Sequence, residues 1–477
     1  MSKKLYLLGI DGLSFDYLKN HLDDLPNFQK MILEGQGKVL ESTFPPDSIP
    51  AWISIYTGVS PAEHGILDPI DYINKEKVKI PNTDAFKGKT FWDRLSSIGK
   101  KVCIINPFLA YPVWDINGVF INGSVFSDDK IVDANDKKIL QKFRLPRLGG
   151  FTRFPNKNQL NEFAKENAKD TKDLFRYSKE IRNEYDYDFY FITYFTLDRH
   201  QHFLWRYETN EYFSYKNRMN SPVMELYKVF DNIIGEIINS LDKNESFVII
   251  SDHGHDRRCD KVININEILR KNGYFFVNKG KFFNKNYFLE KLKNVVTTFV
   301  YKYSMEDLFY KLVKFFPNRQ KIKKGHHLKS SKNIAEVSDI FGTNYFGGIK
   351  INRDNISKDL SYEAVCNEII NLFKKYKVKG KCVFKSIQKR DDIVSGKNVK
   401  KLPDILFELD NEYGVNWSVF TKEIGPNFTY RKISGGHNKR GCFLSYNLNR
   451  SLTARVNNVT DVFSFVNCFF NEDFTNK

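Results

Sequence analysis

Three short apolar runs each lead, within three residues, to an aspartate. Leu5-Tyr6-Leu7-Leu8-Gly9-Ile10 runs into Asp11-Gly12. Phe189 to Phe195 runs into Asp198-Arg199-His200-Gln201-His202, and Ser246 to Ile250 delivers Ser251-Asp252-His253-Gly254-His255. Continuous apolarity over so few residues marks a strand buried on both faces, as in a parallel sheet. Strands of that kind need crossover helices, and the chain supplies them. Asp16 to Glu34 is closed by Gly35, the helix opened by Thr90 is ended by Gly99, and Lys157 to Glu184 and Val223 to Leu241 follow. Lys101–Ile105, Gly118–Ile121, Gly347–Ile351, Cys382–Ser386 and Ile405–Leu409 read as further strands, and Tyr362–Tyr376 and Val459–Phe469 as helices. There is no internal repeat. The alternation predicts an α/β fold with a doubly wound, mainly parallel sheet sandwiched by helices. In such a sheet the carboxyl ends of the strands form the ligand crevice, which is where the acidic residues fall.

A second stretch bears on chemistry: Phe44-Pro45-Pro46-Asp47-Ser48-Ile49-Pro50-Ala51-Trp52. Two prolines impose an extended approach, and Pro50 suits a first helical turn. Ser48 therefore falls at or just before a helix N-terminus, where the helix dipole favours an anion. A plain N-cap is the alternative reading of this serine. His64, beside Gly65, reads as structural.

Four separated places carry metal-binding groups: Asp11, Asp198 with His202, Asp252 with His253, and His437 in the glycine-rich turn Ser434-Gly435-Gly436-His437. Asp198 and His202 share one face if their segment is helical, since they are four apart. At least three of the places follow strands directly and can meet on one rim. Together they can hold two divalent metals, which at about 4 Å apart polarise a phosphoryl oxygen and stabilise both attacking and leaving oxygens. Mixed carboxylate and imidazole donors suit zinc or manganese better than calcium. Ser48 among them is the candidate nucleophile toward phosphorus. His255 is a candidate supporting residue. His326-His327 reads as a solvated turn, because adjacent side chains do not converge on one metal.

The net charge of +17 favours anionic partners, whether phosphorylated substrates or an acidic membrane surface. Much of it falls between Tyr274 and Lys332, where a basic amphipathic stretch precedes Arg319, Lys321, Lys323, Lys324, Lys329 and Lys332. That segment reads as an insertion capping the sheet, suited to peripheral contact with an anionic membrane. No nucleic-acid-binding module is visible. The six cysteines form no C-x-x-C pair, and no run approaches the roughly 20 apolar residues of a membrane span. These features suit the cytoplasm, with or without contact at the inner face of the membrane.

The motifs jointly resemble the alkaline phosphatase superfamily, most closely its type I phosphodiesterase/nucleotide pyrophosphatase branch and related predicted phosphohydrolases and phosphomutases. Leu8-Gly9-Ile10-Asp11-Gly12 is similar to the opening strand of that family. Pro45 to Trp52, with Thr57-Gly58 and His64-Gly65-Ile66, resembles its nucleophile segment. The later Asp198–His202, Ser251–Gly254 and Gly436-His437 motifs follow in the same order. The resemblance spans about residues 4–445. It implies an alkaline-phosphatase-like core in two parts, 1–273 and 333–477, the second carrying the last ligand, with 274–332 as the inserted cap. It also implies that Asp198, His202 and His437 bind one metal and that Asp11, Asp252 and His253 bind the other, with Ser48 as nucleophile on the second. The implied activity is hydrolysis of phosphodiester or pyrophosphate bonds in a phosphorylated small molecule or lipid-linked substrate. A phosphomonoesterase or phosphomutase on the same site, and a non-catalytic polyanion binder, remain alternatives. Trp52 stands where sulfatases of the superfamily carry an arginine, which argues against a sulfatase.

Overall fold

A computed structural model describes residues 3–67, 83–123, 132–143, 155, 157–208, 221–277, 292, 295–296, 299–300, 330–338 and 344–470. Most of the basic segment between Tyr274 and Lys332, including Lys321, Lys323, Lys324 and the His326-His327 pair, lies outside the described residues. Among those described, no helix is long and apolar enough to cross a membrane.

The chain divides into two compact units. The first comprises residues 1–257, 396–398 and 433–477. Its eight-stranded sheet runs in the order Gln36–Glu41, Arg440–Tyr446, Glu245–Ile250, Lys4–Ile10, Phe189–Tyr194, Val102–Ile105, Gly118–Gly123, Val132–Ala134. The five strands from Glu245–Ile250 to Gly118–Gly123 are mutually parallel, and the pairings at both edges are antiparallel. The short strand Val132–Ala134 lies in a polar stretch where the sequence shows little strand character. Alternation along Lys4–Ile10 explains why both faces need cover. Tyr6, Leu8 and Ile10 join one apolar core, while Leu5 and Leu7 join another on the opposite face. The first core is closed by Leu160–Glu184 and Pro222–Asn239, whose buried residues recur every three or four positions.

Two local expectations are corrected. Asp16 to Glu34 is not one helix: it is Phe15–Asn20, a 3-10 turn Leu22–Asp24, and a new helix Pro26–Glu34. Pro26 lacks the N–H that an uninterrupted helix would need there, and at a first position that N–H is not required. The new N-terminus is held from elsewhere: Asp231 accepts hydrogen bonds from the Asn27 and Phe28 N–H groups, both at 2.9 Å. The glycine-rich stretch around His437 is not a free turn but a strand, Gly435–Asn438, paired antiparallel with Gly254–Arg257.

The second unit comprises residues 258–395 and 399–432. Its four-stranded sheet, ordered Ala335–Val337, Phe346–Ile351, Ile405–Leu409, Phe384–Lys389, is antiparallel throughout. The helix Tyr362–Lys374 contributes Val365, Ile369 and Phe373 to its core. Lys261–Asn264 centres a separate three-stranded sheet with Tyr413–Asn416 and Ile424–Pro426.

Candidate metal centre

All seven residues singled out as metal donors or nucleophile lie in the first unit, and the fold brings them together. Asp11 follows the end of Lys4–Ile10, and Asp252 and His253 follow the end of Glu245–Ile250, its neighbour in the sheet. Phe189–Tyr194 feeds the helix Thr196–Leu204, which carries Asp198 and His202 one turn apart. His437 arrives on Gly435–Asn438, a strand short enough to end over the same rim.

The helix Ser48–Thr57 is capped by Asp47, whose carboxylate accepts from the Ile49 N–H at 3.1 Å. Ser48 is thus the first helical residue and not the cap, so its hydroxyl is left for the site. It donates to Asp11 Oδ1 at 3.3 Å and lies 3.1 Å from His253 Nε2.

The histidines share a polarity. His253 Nδ1 faces the Gly254 carbonyl at 3.1 Å, His437 Nδ1 that of Pro46 at 3.0 Å, and His202 Nδ1 that of Gly435 at 3.2 Å. A carbonyl only accepts, so each Nδ1 carries the proton and each Nε2 offers a lone pair inward. His437 Nε2 lies 2.9 Å from His202 Nε2, and the two lie 3.2 and 3.3 Å from the Asp198 oxygens. Two groups within ligating distance result: Asp198, His202, His255 and His437, and Asp11, Asp198 and His253. Asp198 belongs to both, and the His253 and His437 rings stack at 3.8 Å between centroids. Asp252 reaches the second group through Oδ2, 3.3 Å from His253 Nε2.

A divalent cation fits this donor set. Three carboxylates, Asp11, Asp198 and Asp252, converge with only histidines as ion-pair partners among the described residues. Asp252 Oδ2 is buried without a hydrogen-bond donor. The Nε2 atoms of His202 and His437, 2.9 Å apart, can share a proton or a cation placed between them. The crowding also shifts the protonation equilibria. Burial, with Asp252 and Asp198 nearby, pushes the Asp11 carboxyl well above its usual range. Burial and Asp198 raise Asp252 to about 8. Burial holds His253 well below normal, and so neutral. Burial also lowers His437, but the Asp198 carboxylate outweighs it and raises that imidazole overall. Burial would raise Asp198, yet His202 and His437 hold it well below the carboxylate range.

Backbone contacts fix the rim. Gly12 donates to Asp252 Oδ1 at 3.2 Å, and Leu13 donates to Ser251 Oγ at 2.9 Å. Gly12 has φ +72°, and a Cβ there would fall 3.0 Å from Asp198 Cβ, so this turn accepts only glycine without strain. Gln201 Nε2 binds the Gly12 carbonyl at 2.9 Å and its Oε1 accepts from the Tyr227 hydroxyl at 3.2 Å. His200, in the same motif, turns away: its Nε2 meets the Pro222 carbonyl at 2.7 Å. His64 keeps a structural place, accepting from the Ile66 N–H at 3.1 Å beside the Gly65 turn. The sequence reading missed the role of Trp52. Its fully buried indole N–H donates to Asp11 Oδ2 at 2.9 Å, leaving Oδ1 to face Ser48 and His253. The available signal was its place one helical turn beyond Ser48.

Residues 5–415 match the family described as type I phosphodiesterase / nucleotide pyrophosphatase. The chain belongs to that family. It is thereby placed among phosphoester hydrolases of the alkaline phosphatase superfamily. No curated protein matches the sequence. Phosphonoacetate hydrolase from Sinorhizobium meliloti 1021, crystallised with phosphonoformate, is similar in structure: TM-score 0.57, 14% identity, 98% of this chain and 96% of that one covered. Murine ectonucleotide pyrophosphatase / phosphodiesterase 5, an inactive form in complex with AMP, aligns with TM-score 0.47 at 12% identity over 99% of this chain and 95% of that one. The likeness to phosphonoacetate hydrolase, at this identity, establishes a shared fold.

Proposed function

We propose that the protein is a metal-dependent hydrolase of phosphodiester or pyrophosphate bonds, with Ser48 as nucleophile. The observation that carries the reading is the placement of the Ser48 hydroxyl between Asp11 Oδ1 and His253 Nε2 at the start of the helix Ser48–Thr57. Asp198, His202 and His437 would hold one divalent cation, and Asp11, Asp252, His253 and Ser48 a second, with zinc or manganese suited to such donors. Such ions supply charge neutralisation at the transferred phosphoryl group and ease ionisation of the serine.

The chain's own residues account for the rest. Without the cation the Ser48 hydroxyl rests against Asp11 Oδ1 and His253 Nε2, the same atoms that would face the cation, so the serine oxygen is already held where it would be ligated. Trp52 keeps Asp11 turned so that Oδ1 faces Ser48. The N-terminal end of the helix favours the phosphoryl anion beside Ser48. Attack forms the Ser48 Oγ–P bond and breaks the bond from phosphorus to the leaving oxygen, which departs with the hydroxyl proton, so the phosphoryl group stays on Ser48 with its remaining ester substituent. Water then forms a new P–O bond as the Ser48 Oγ–P bond breaks, and its proton restores the serine hydroxyl while the phosphomonoester leaves.

The test is turnover of bis-p-nitrophenyl phosphate and of p-nitrophenyl phosphate by zinc- or manganese-loaded protein, beside Ser48→Ala. Diester preference, with loss of several orders of magnitude in the alanine variant, is expected. Monoester preference would move the reading to a phosphomonoesterase or phosphomutase, and near-normal turnover by Ser48→Ala would overturn the assigned nucleophile.

A further inference from the structure

His255 and His437 stand directly opposite each other where Gly254–Arg257 pairs with Gly435–Asn438. Opposed residues of an antiparallel pair project from the same face, so register alone brings both rings to one place. They meet the same atom: His437 Nε2 lies 3.2 Å and His255 Nδ1 3.1 Å from Asp198 Oδ1. The rings nevertheless differ in kind. His437, His202 and His253 each anchor Nδ1 on a backbone carbonyl and turn Nε2 inward. His255 is reversed. Its Nδ1 meets the carboxylate, and its buried Nε2 has no hydrogen-bond partner.

A ligating imidazole is normally anchored through its second nitrogen, and His255 lacks that anchor. With the proton on Nδ1, the 3.1 Å contact is a charge-assisted hydrogen bond to Asp198. With the proton on Nε2, an N–H would be buried without an acceptor and two lone pairs would face each other. Buried orphan N–H groups are rare for that reason. The ring's position is set by its surroundings. A Cβ on Gly435 would come within 2.4 Å of His255 Nε2, and the Trp205 ring lies 5.5 Å away between centroids.

We propose that His255 is a positioning residue for the centre. Its Nδ1–H holds the Asp198 carboxylate so that Oδ1 and Oδ2 stay aimed at His437 and His202. The inference rests on the metal-dependent reading above and names a residue that reading leaves out.

The experiment is calorimetric titration of EDTA-stripped protein with Zn²⁺ for wild type, His255→Ala, His255→Leu and His255→Asn, with circular dichroism to establish folding. Leucine fills the space without a donor, and the asparagine Nδ2 donates from about where the imidazole Nδ1 stood. Wild type and all folded variants should take up the same number of zinc ions at saturation. The alanine and leucine variants should bind one of them about 10- to 100-fold more weakly. His255→Asn should stay near wild type. Unchanged affinity in the alanine and leucine variants overturns the inference. So does loss of one zinc at saturation, which would make His255 a ligand, and so does an asparagine variant as weak as alanine. Wild-type protein that takes up no zinc would overturn the metal-dependent reading itself, which is a separate result.

Discussion

Replacing Trp52 tests whether the buried indole organises the centre or merely fills space. Trp52 is fully buried, and its N–H donates to Asp11 Oδ2 at 2.9 Å. Trp52→Phe keeps an aromatic ring but deletes the donor. Burial and the neighbouring carboxylates keep Asp11 uncharged in the metal-free protein, so the bond is a neutral one, and leaving its buried acceptor unmet costs about 1–3 kcal/mol. Contraction of the ring adds a cavity term of roughly 1 kcal/mol on the scale of large-to-small core changes. The single variant should therefore be less stable by about 2–4 kcal/mol. Asp11→Ala removes the acceptor instead. It relieves a carboxyl whose charge burial and two neighbouring carboxylates disfavour, but it leaves the buried indole N–H without an acceptor, which should cost about 1–3 kcal/mol. In the double variant neither partner is left alone, so only the cavity term should remain. The coupling energy from the cycle should be at least about 1 kcal/mol. The assay is urea unfolding followed by circular dichroism in EDTA, comparing the four proteins in the transition that the variants shift. A coupling below about 0.5 kcal/mol, the level at which independent sites add, would refute the argument that Trp52 acts through Asp11.

Asp198→Ala and His437→Ala should lose the same metal ion, and Asp11→Asn should affect the other. Elemental analysis decides this, and unchanged stoichiometry in all three would reject the ligand map. Asp231→Ala should destabilise the protein by about 2–3 kcal/mol, because two N-terminal N–H groups of Pro26–Glu34 and the Asn27 side chain lose their acceptor. A thermal melt within 1 °C of wild type would contradict that, since about 1 kcal/mol already moves a large domain by roughly 2–4 °C.

Much of this centre could be read from the chain because its parts are locally encoded. An apolar run ending in Asp11 or Asp252 specifies a buried strand and what stands at its end, and helical spacing alone sets Asp198 and His202 on one face. The proline at Pro26 was equally local, yet the apolar pattern on both sides of it reads as one helix until the lost N–H is considered. Ser48 was placed at the helix start, but whether it capped the helix or faced the site depended on Asp47 taking the cap.

The sequence by itself determined the central parallel strands, the order of the motifs and the residue types that meet at the rim. Only the tertiary structure decided which atoms meet. The strand Gly435–Asn438 is too short and glycine-rich to declare itself. It exists because Gly254–Arg257 lies ready to pair with it, and that pairing sets His255 beside His437, which lies 235 positions along the chain from His202. The inward turn of three Nε2 atoms follows from backbone carbonyls of Pro46, Gly254 and Gly435, which no side-chain pattern announces. The link from Trp52 to Asp11 likewise crosses from a helix to a strand. Side-chain periodicity is a property of a few neighbouring residues, whereas strand order, register and imidazole polarity are fixed by packing between segments far apart in the chain.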